Sequence, residues 1–316
     1  MRLHRPIPSS LPRIVRRCYS TPSPSPVVSV HDVPAPGSGR IRILNLNRPS
    51  ARNAISRQLL LELSNNIRSV ASQYDSHGNE VDLAKTIEGK NDLGPVRALI
   101  LASEVDSCFC AGADLKERAG FTPEETNEFL ANLRNTFQAL SALPIPTIAA
   151  VSSLALGGGL ELALCTHLRV LASTAQVGLP ETRLGIIPGA GGTYRLPALI
   201  GMSRARDLIL TGRRVSAPEA YFLGIADRLV EITPEEGQDE KEVLARAKEE
   251  VLRTAVLLAG EICEGAPVAV RSALQAVHWA RGEVETKMYD RVVATEDRNE
   301  ALKAFKEKRR PVFTGR

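Results

Sequence analysis

Apolar positions along the chain fall into two alternating rhythms. Arg40 to Asn47 sets Ile41, Ile43, Leu44 and Leu46 among polar neighbours, which predicts a strand broken at Asn47-Arg48-Pro49-Ser50. From Ile55 to Tyr74 the spacing changes. Leu59, Leu60, Leu63, Ile67 and Val70 recur every three or four residues, the stripe of a helix. Residues 75–95 are polar and contain glycine, predicting a long surface loop. Val96 to Ala102 and Ile145 to Val151 are compact apolar strands. Thr122 to Leu143 between them is a helix whose start carries the capping signature Thr122-Pro123-Glu124-Glu125. Another helix begins near Gly158, and Leu168 to Ala172 makes a further strand. Short strands that are apolar on both faces, alternating with helices, predict an α/β core. From Thr193 onward strand patterns almost vanish. Helices are expected near 203–211, 216–223, 238–264, 267–281 and 284–308. No repeat at a fixed period runs through the chain.

Composition changes this picture mainly at the N-terminus. The chain has 316 residues, 43% hydrophobic and 24% charged, enough for one large domain or two small ones. Residues 1–31 contain no Asp or Glu, and Arg2, Arg5, Arg13, Arg16 and Arg17 crowd the start. Removing those five charges takes the formal balance from +4 to −1, so the remainder has no general attraction for nucleic acid or anionic membrane. An acid-free, Arg- and Ser-rich leader is composed like a mitochondrial transit peptide, and Arg17-Cys18-Tyr19-Ser20 suggests cleavage after Tyr19. The expected organisation is a transit peptide at 1–19, a flexible leader at 20–39, a core at 40–215 and a helical region at 216–316. No apolar run is long enough to span a membrane, and Phe313-Thr314-Gly315-Arg316 is not a peroxisomal address. Cys18, Cys108, Cys110, Cys165 and Cys263 are scattered, and the histidines are dispersed. Neither a disulfide framework nor a metal site is expected, and the cysteines read as small buried hydrophobes.

Three segments carry candidate chemistry. Cys108-Phe109-Cys110-Ala111-Gly112-Ala113-Asp114-Leu115 follows a strand, and its small residues leave backbone N–H groups open to a ligand; a tight turn is the bland alternative. Gly157-Gly158-Gly159-Leu160-Glu161 opens a helix but has neither dinucleotide-fingerprint nor P-loop spacing. Glu161 sits in an otherwise apolar stretch, where a carboxylate is costly to bury without a role. The third segment runs from Gly178 to Thr193 and holds Glu181 in apolar company. A surface ion pair with Arg183 is its alternative reading. Backbone donors beside two carboxylates suit the polarisation of a carbonyl and the movement of protons.

Taken together, Phe109-Cys110-Ala111-Gly112-Ala113-Asp114, Leu156 to Glu161 and Pro188-Gly189-Ala190-Gly191-Gly192-Thr193 resemble the enoyl-CoA hydratase/isomerase (crotonase) superfamily, from about Arg40 to the C-terminus. Ala113 to Arg118, Ile200-Gly201-Met202-Ser203 and Ala304 to Arg309 look most like its mitochondrial methylglutaconyl-CoA hydratases. The resemblance implies an α/β crotonase fold, a spiral of ββα units with a helical C-terminal trimerisation region, assembled as a homotrimer or a hexamer. It implies an acyl-CoA thioester substrate, syn addition of water to a 2-enoyl-CoA, and no cofactor beyond the CoA that arrives with the substrate. Carried over residue by residue, the thioester oxygen is held by the N–H groups of Ala113 and Gly158. Glu161 mainly activates water, and Glu181 mainly supplies the α-carbon proton. Isomerases of the family usually keep only the acid equivalent to Glu181, so the pair favours hydration. CoA contacts fall on Ala111, Asp114, Leu115 and Lys116, with Phe305 and Lys306 near the adenine, reaching across a subunit boundary. The implied location is the mitochondrial matrix. The alternatives are a general short-chain enoyl-CoA hydratase and, in another class, an AU-rich RNA-binding protein. The first helix argues against the latter, because Leu61 and Asn65 stand where the RNA-binding relative has lysines.

Overall fold

The computed structural model describes residues 26–89 and 91–316. The expected transit peptide at 1–19, the first part of the leader and Cys18 lie outside the described residues. In chain order the elements are β1 (Val28–Pro34), β2 (Arg40–Leu46), α1 (Arg57–Ala71), β3 (Val96–Ser103), β4 (Cys108–Cys110), α2 (Leu115–Arg118) and α3 (Pro123–Ser141). Then come β5 (Thr147–Val151), β6 (Leu154–Leu156), α4 (Gly158–Ala163), β7 (Leu168–Ala172), β8 (Gln176–Gly178), α5 (Gly192–Ile200) and α6 (Met202–Thr211). The chain continues through β9 (Arg214–Ser216), α7 (Ala217–Leu223), β10 (Arg228–Val230), α8 (Glu240–Cys263), α9 (Pro267–Trp279), α10 (Gly282–Val293) and α11 (Glu296–Glu307).

Local signals explain the main helices. Leu59, Leu60, Leu63, Ile67 and Val70 bury one face of α1, and the Ser56 hydroxyl caps it by accepting from the Leu59 N–H. Thr122 and Glu125 complete a reciprocal capping box on α3. The expected helix over 284–308 is two helices, α10 and α11, with Thr295 capping the second.

Two sheets organise the core. Among the described residues, the large one has the order β1-β2-β3-β5-β7-β10, parallel except for β1. The small one has the order β4-β6-β8-β9, parallel except for β9. The pairs β3/β4, β5/β6 and β7/β8 each give one strand to each sheet, so successive turns of the chain stack as a spiral. That stacking aligns the C-terminal ends of β4, β6 and β8 side by side.

Three sequence expectations change. Residues 28–34, expected within a flexible leader, form β1 and pair along the whole of β2, because Val28, Val30 and Val33 outweigh the surrounding Pro and Ser. The boundary expected at 215/216 does not separate two units. β10 joins the large sheet, and α8 packs Val251, Ala255, Leu258 and Ala259 against the sheet face formed by Ile41, Ile43, Ala98, Ile100, Ile148 and Val170. The polar positions of β2 do not face water either. Arg40 and Arg42 are buried, and both pair with Asp32 and Glu88. The loop at 75–95, expected at the surface without chemistry, thus supplies counter-charges to the interior. Its Glu80 likewise pairs with buried Arg97 and Arg271.

Candidate active site

Three strand exits build the site. After β4 the backbone is pinned against the segment before α1. The Ala111 N–H donates to Arg52, the Ile55 N–H to Gly112 at 2.7 Å, and the Asp114 N–H to Ile55. This leaves the Ala113 N–H without an acceptor among the described residues. After β6, Gly157 turns at φ 54°, ψ −125°, a conformation closed to ordinary L-residues, and α4 begins at Gly158. A Cβ on Gly157 would also come within 3.0 Å of Glu181 Oε1. Gly158 is the first residue of its helix, so its N–H has no intrahelical partner, and no other group among the described residues accepts from it. The two free donors stand across a narrow gap. A Cβ placed on Gly158 would lie 3.6 Å from Ala113 N, and one on Gly112 only 3.3 Å from Gly158 N.

Glu161, three residues into α4, is 3% exposed, and its Oε1 accepts from the Ala190 and Gly192 N–H groups at 2.8 Å each. Burial pushes its carboxyl above the ordinary value, while those two donors and two nearby guanidiniums favour the charged form. Glu181, reached after β8, opens a one-turn 3-10 helix and is also buried. Its Oε2 has no partner among the described residues. Burial, followed by the charge of Glu161, raises its pKa to about 7. The alternative pairing with Arg183 is absent, because that guanidinium donates to the Thr211 carbonyl at 2.7 Å. Two carboxyls therefore face one cavity in unlike environments. One is held by two N–H donors of a neighbouring loop, which suit an anion; the other has an unpartnered Oε2 and retains a proton to higher pH.

That cavity encloses about 510 Å³. It collects Ala111, Ala113, Leu115, Gly158, Glu161 and Glu181 from the residues the sequence singled out. Asp114 and Lys116 do not line it. Asp114 caps α2, accepting from the Lys116 and Glu117 N–H groups, and pairs with Arg48 at 2.6 Å; Lys116 is exposed. Phe305 and Lys306 lie on α11, away from this cavity, and Phe305 is 86% exposed. Sequence reasoning missed the walls. Leu130, Leu133 and Arg134 come from α3, and Ile186 and Ile187 from the loop after Glu181. The three-residue spacing of Leu130 and Leu133 marks an apolar face but not what it faces. Also missed was the use of Ala190 and Gly192 as donors to Glu161, although their glycine-rich segment stood out in the sequence.

The same segments decide the family, since residues 81–316 match the enoyl-CoA hydratase/isomerase family. The chain belongs to that family. Methylglutaconyl-CoA hydratase 1, mitochondrial, of Pyricularia oryzae is 62% identical over 315 residues, covering 95% of this chain and 90% of that protein. An enoyl-CoA isomerase/hydratase of Zymoseptoria tritici is 58% identical over 300 residues, covering 94% and 91%. The crystal structure of enoyl-CoA hydratase from Bacillus anthracis shares 36% identity and a TM-score of 0.76, over 92% of this chain and 100% of that one. The two-sheet spiral described above is thus the architecture of the enoyl-CoA hydratase family.

Proposed function

We propose that the protein adds water syn across the double bond of a 2-enoyl-CoA thioester, and that its substrate is 3-methylglutaconyl-CoA. One observation carries the reaction type: Glu181, with its Oε2 unpartnered, and an N–H-cradled Glu161 share a cavity with two unpartnered backbone donors. The thioester oxygen sits between the Ala113 and Gly158 N–H groups, which gain strength as negative charge develops on it. Glu161, ionised, takes a proton from water, and the hydroxide oxygen bonds to the β-carbon. The electron pair of the double bond moves to the α-carbon, which takes the proton of Glu181. Atoms and charge balance, with one proton moved from water to Glu161 and one from Glu181 to product. The like charges across the cavity keep one proton between the two carboxyls. Each N–H donor contributes about 2.7–4 kcal/mol to the transition state, by the usual cost of removing one.

The substrate rests on the 62% identical relative, whose name is methylglutaconyl-CoA hydratase. That name also says mitochondrial, in keeping with the acid-free leader, and we place the mature protein in the matrix. CoA runs along Ala111 and Leu115 at the cavity wall, with exposed Lys116 on the outer side for a phosphate. Phe305 and Lys306, outside the cavity of their own chain, serve a neighbouring protomer in a homotrimer or hexamer.

Glu161→Gln and Glu181→Gln are each expected to lower crotonyl-CoA hydration at least a hundredfold, on the order of a lost acid or base, with folding intact. Near-normal turnover in either variant would sink the two-carboxylate mechanism. Comparing kcat/KM for 3-methylglutaconyl-CoA and crotonyl-CoA tests the substrate, and a preference for crotonyl-CoA would make the enzyme a general short-chain hydratase.

A further inference from the structure

The loop that holds Glu161 is itself held. Arg134 on α3 donates from Nε to the Gly189 carbonyl at 2.7 Å, and Arg195 on α5 donates from Nη1 to the Ala190 carbonyl at 3.0 Å. These are consecutive carbonyls of the segment whose Ala190 and Gly192 N–H groups reach Glu161. Arg195 also donates from Nη2 to Gln138 Oε1 at 3.3 Å and Ser141 Oγ at 3.1 Å, so both guanidiniums tie the loop to α3. Arg195 folds back closely over the loop, where a Cβ on Gly191 would lie 1.9 Å from its Nη1. Neither arginine pairs with a carboxylate among the described residues. Their charge is therefore not cancelled by an ion pair, and both favour the ionised form of Glu161.

We propose that Arg134 and Arg195 are positioning residues for the hydration: they lock the 189–192 loop to α3 and supply the positive field that keeps Glu161 ionised as the base. This rests on the hydratase reading above. The other ionisable groups near Glu161 do not hold the 189–192 loop. Glu181, across the cavity, is a carboxyl group, neutral while it holds its proton and repulsive to the Glu161 carboxylate once it loses it. Arg118, on the wall at the end of α2, contributes no bond to the loop. The Cys165 thiol, just past the end of α4, donates to the Glu161 carbonyl, and burial keeps it neutral, its pKa pushed up to about 12.

The test is the pH dependence of kcat/KM for crotonyl-CoA from pH 5 to 9, using the full oligomeric protein. Arg134→Gln and Arg195→Gln remove the charge; Arg134→Lys and Arg195→Lys keep it. In each Gln variant the acidic limb is expected to move up by about one pH unit, a roughly tenfold loss near pH 6 that largely recovers at pH 8.5. The Lys variants are expected to keep the wild-type limb while losing part of the pH-independent rate. An unshifted limb in the Gln variants, with activity either lost equally at every pH or unchanged, would overturn the proposal. Should a Gln variant misfold by circular dichroism, the Lys variants decide, because a limb that moves although charge is retained refutes the field. Should the wild type hydrate no enoyl-CoA, the hydratase reading fails. The field is then read by carbon NMR titration of Glu161, identified by its loss in Glu161→Gln. An unaltered Glu161 titration in Arg134→Gln and Arg195→Gln would refute it.

Discussion

Glu181 shows how a single side chain can trade stability for chemistry. Its folded pKa, about 7, stands above the ordinary 4.5 because the carboxylate form is desolvated and faces Glu161. In the unfolded chain the group ionises freely near its ordinary value. The folded state therefore binds the proton more tightly, and stability is lost as pH rises from about 4.5 through 7. Glu181→Gln, expected to be impaired in hydration, is also expected to be more stable than wild type at pH 8 and no more stable at pH 4. Thermal unfolding across that range checks this; a constant difference would mean that Glu181 is not strained by its charge. The pair Glu161/Glu181 was legible in the sequence because a lone acid in an apolar stretch is expensive. Their unlike roles were expected from the resemblance, but the groups that set them apart were not legible, since the Ala190 and Gly192 donors are distant in sequence from Glu161.

At the scale of elements, what the sequence concealed was polar burial. Arg40 and Arg42 alternate with Ile41 and Ile43, the pattern of a strand with one wet face, yet β2 lies inside the sheet with all seven residues buried. The counter-charges come from β1 and from residues 80–88, a segment that reads as featureless because acids in a polar loop are unremarkable there. β1 itself was masked by the prolines and serines around it. Helices α1, α3, α6, α7, α8 and α9 were legible, because their apolar spacing or capping residues act locally. Glu80→Ala leaves buried Arg97 and Arg271 without their shared acid. The expected cost is about 3 kcal/mol, at the lower end for breaking a buried pair because Glu80 is partly exposed. Urea unfolding should show it as a lower midpoint with kcat unchanged, and an unaltered midpoint would make the pairing ornamental.

At the scale of the whole molecule, the large sheet is covered on one face by α8 and on the other by the spiral, so the core needs no partner. The outer surface is different. Leu210, Phe222, Tyr289 and Phe305, on four different helices, are each at least 68% exposed. A homotrimer or hexamer is the expected state, and sedimentation equilibrium of the mature protein measures it. A monomer at micromolar concentration would refute it and leave Phe305 and Lys306 without a site to serve. The sequence offered the helical C-terminal region but not its division, since α8 belongs to the core while α11 faces outward.

Gly158 and Glu161 lie on the same short helix, α4, so the proposed oxyanion donor and the proposed base cannot shift independently. What sets that helix's distance from Ala113 is a contact neither of them makes. Gly159 presses so closely on β4 that a Cβ there would fall 2.1 Å from the Cys110 carbonyl oxygen. Adding that one methyl group would wedge α4 away from the strand that leads to Ala113. In the proposed mechanism the gauge of the thioester slot is thus a glycine outside the cavity lining, and carbonyl polarisation and water activation would both be calibrated by its missing side chain.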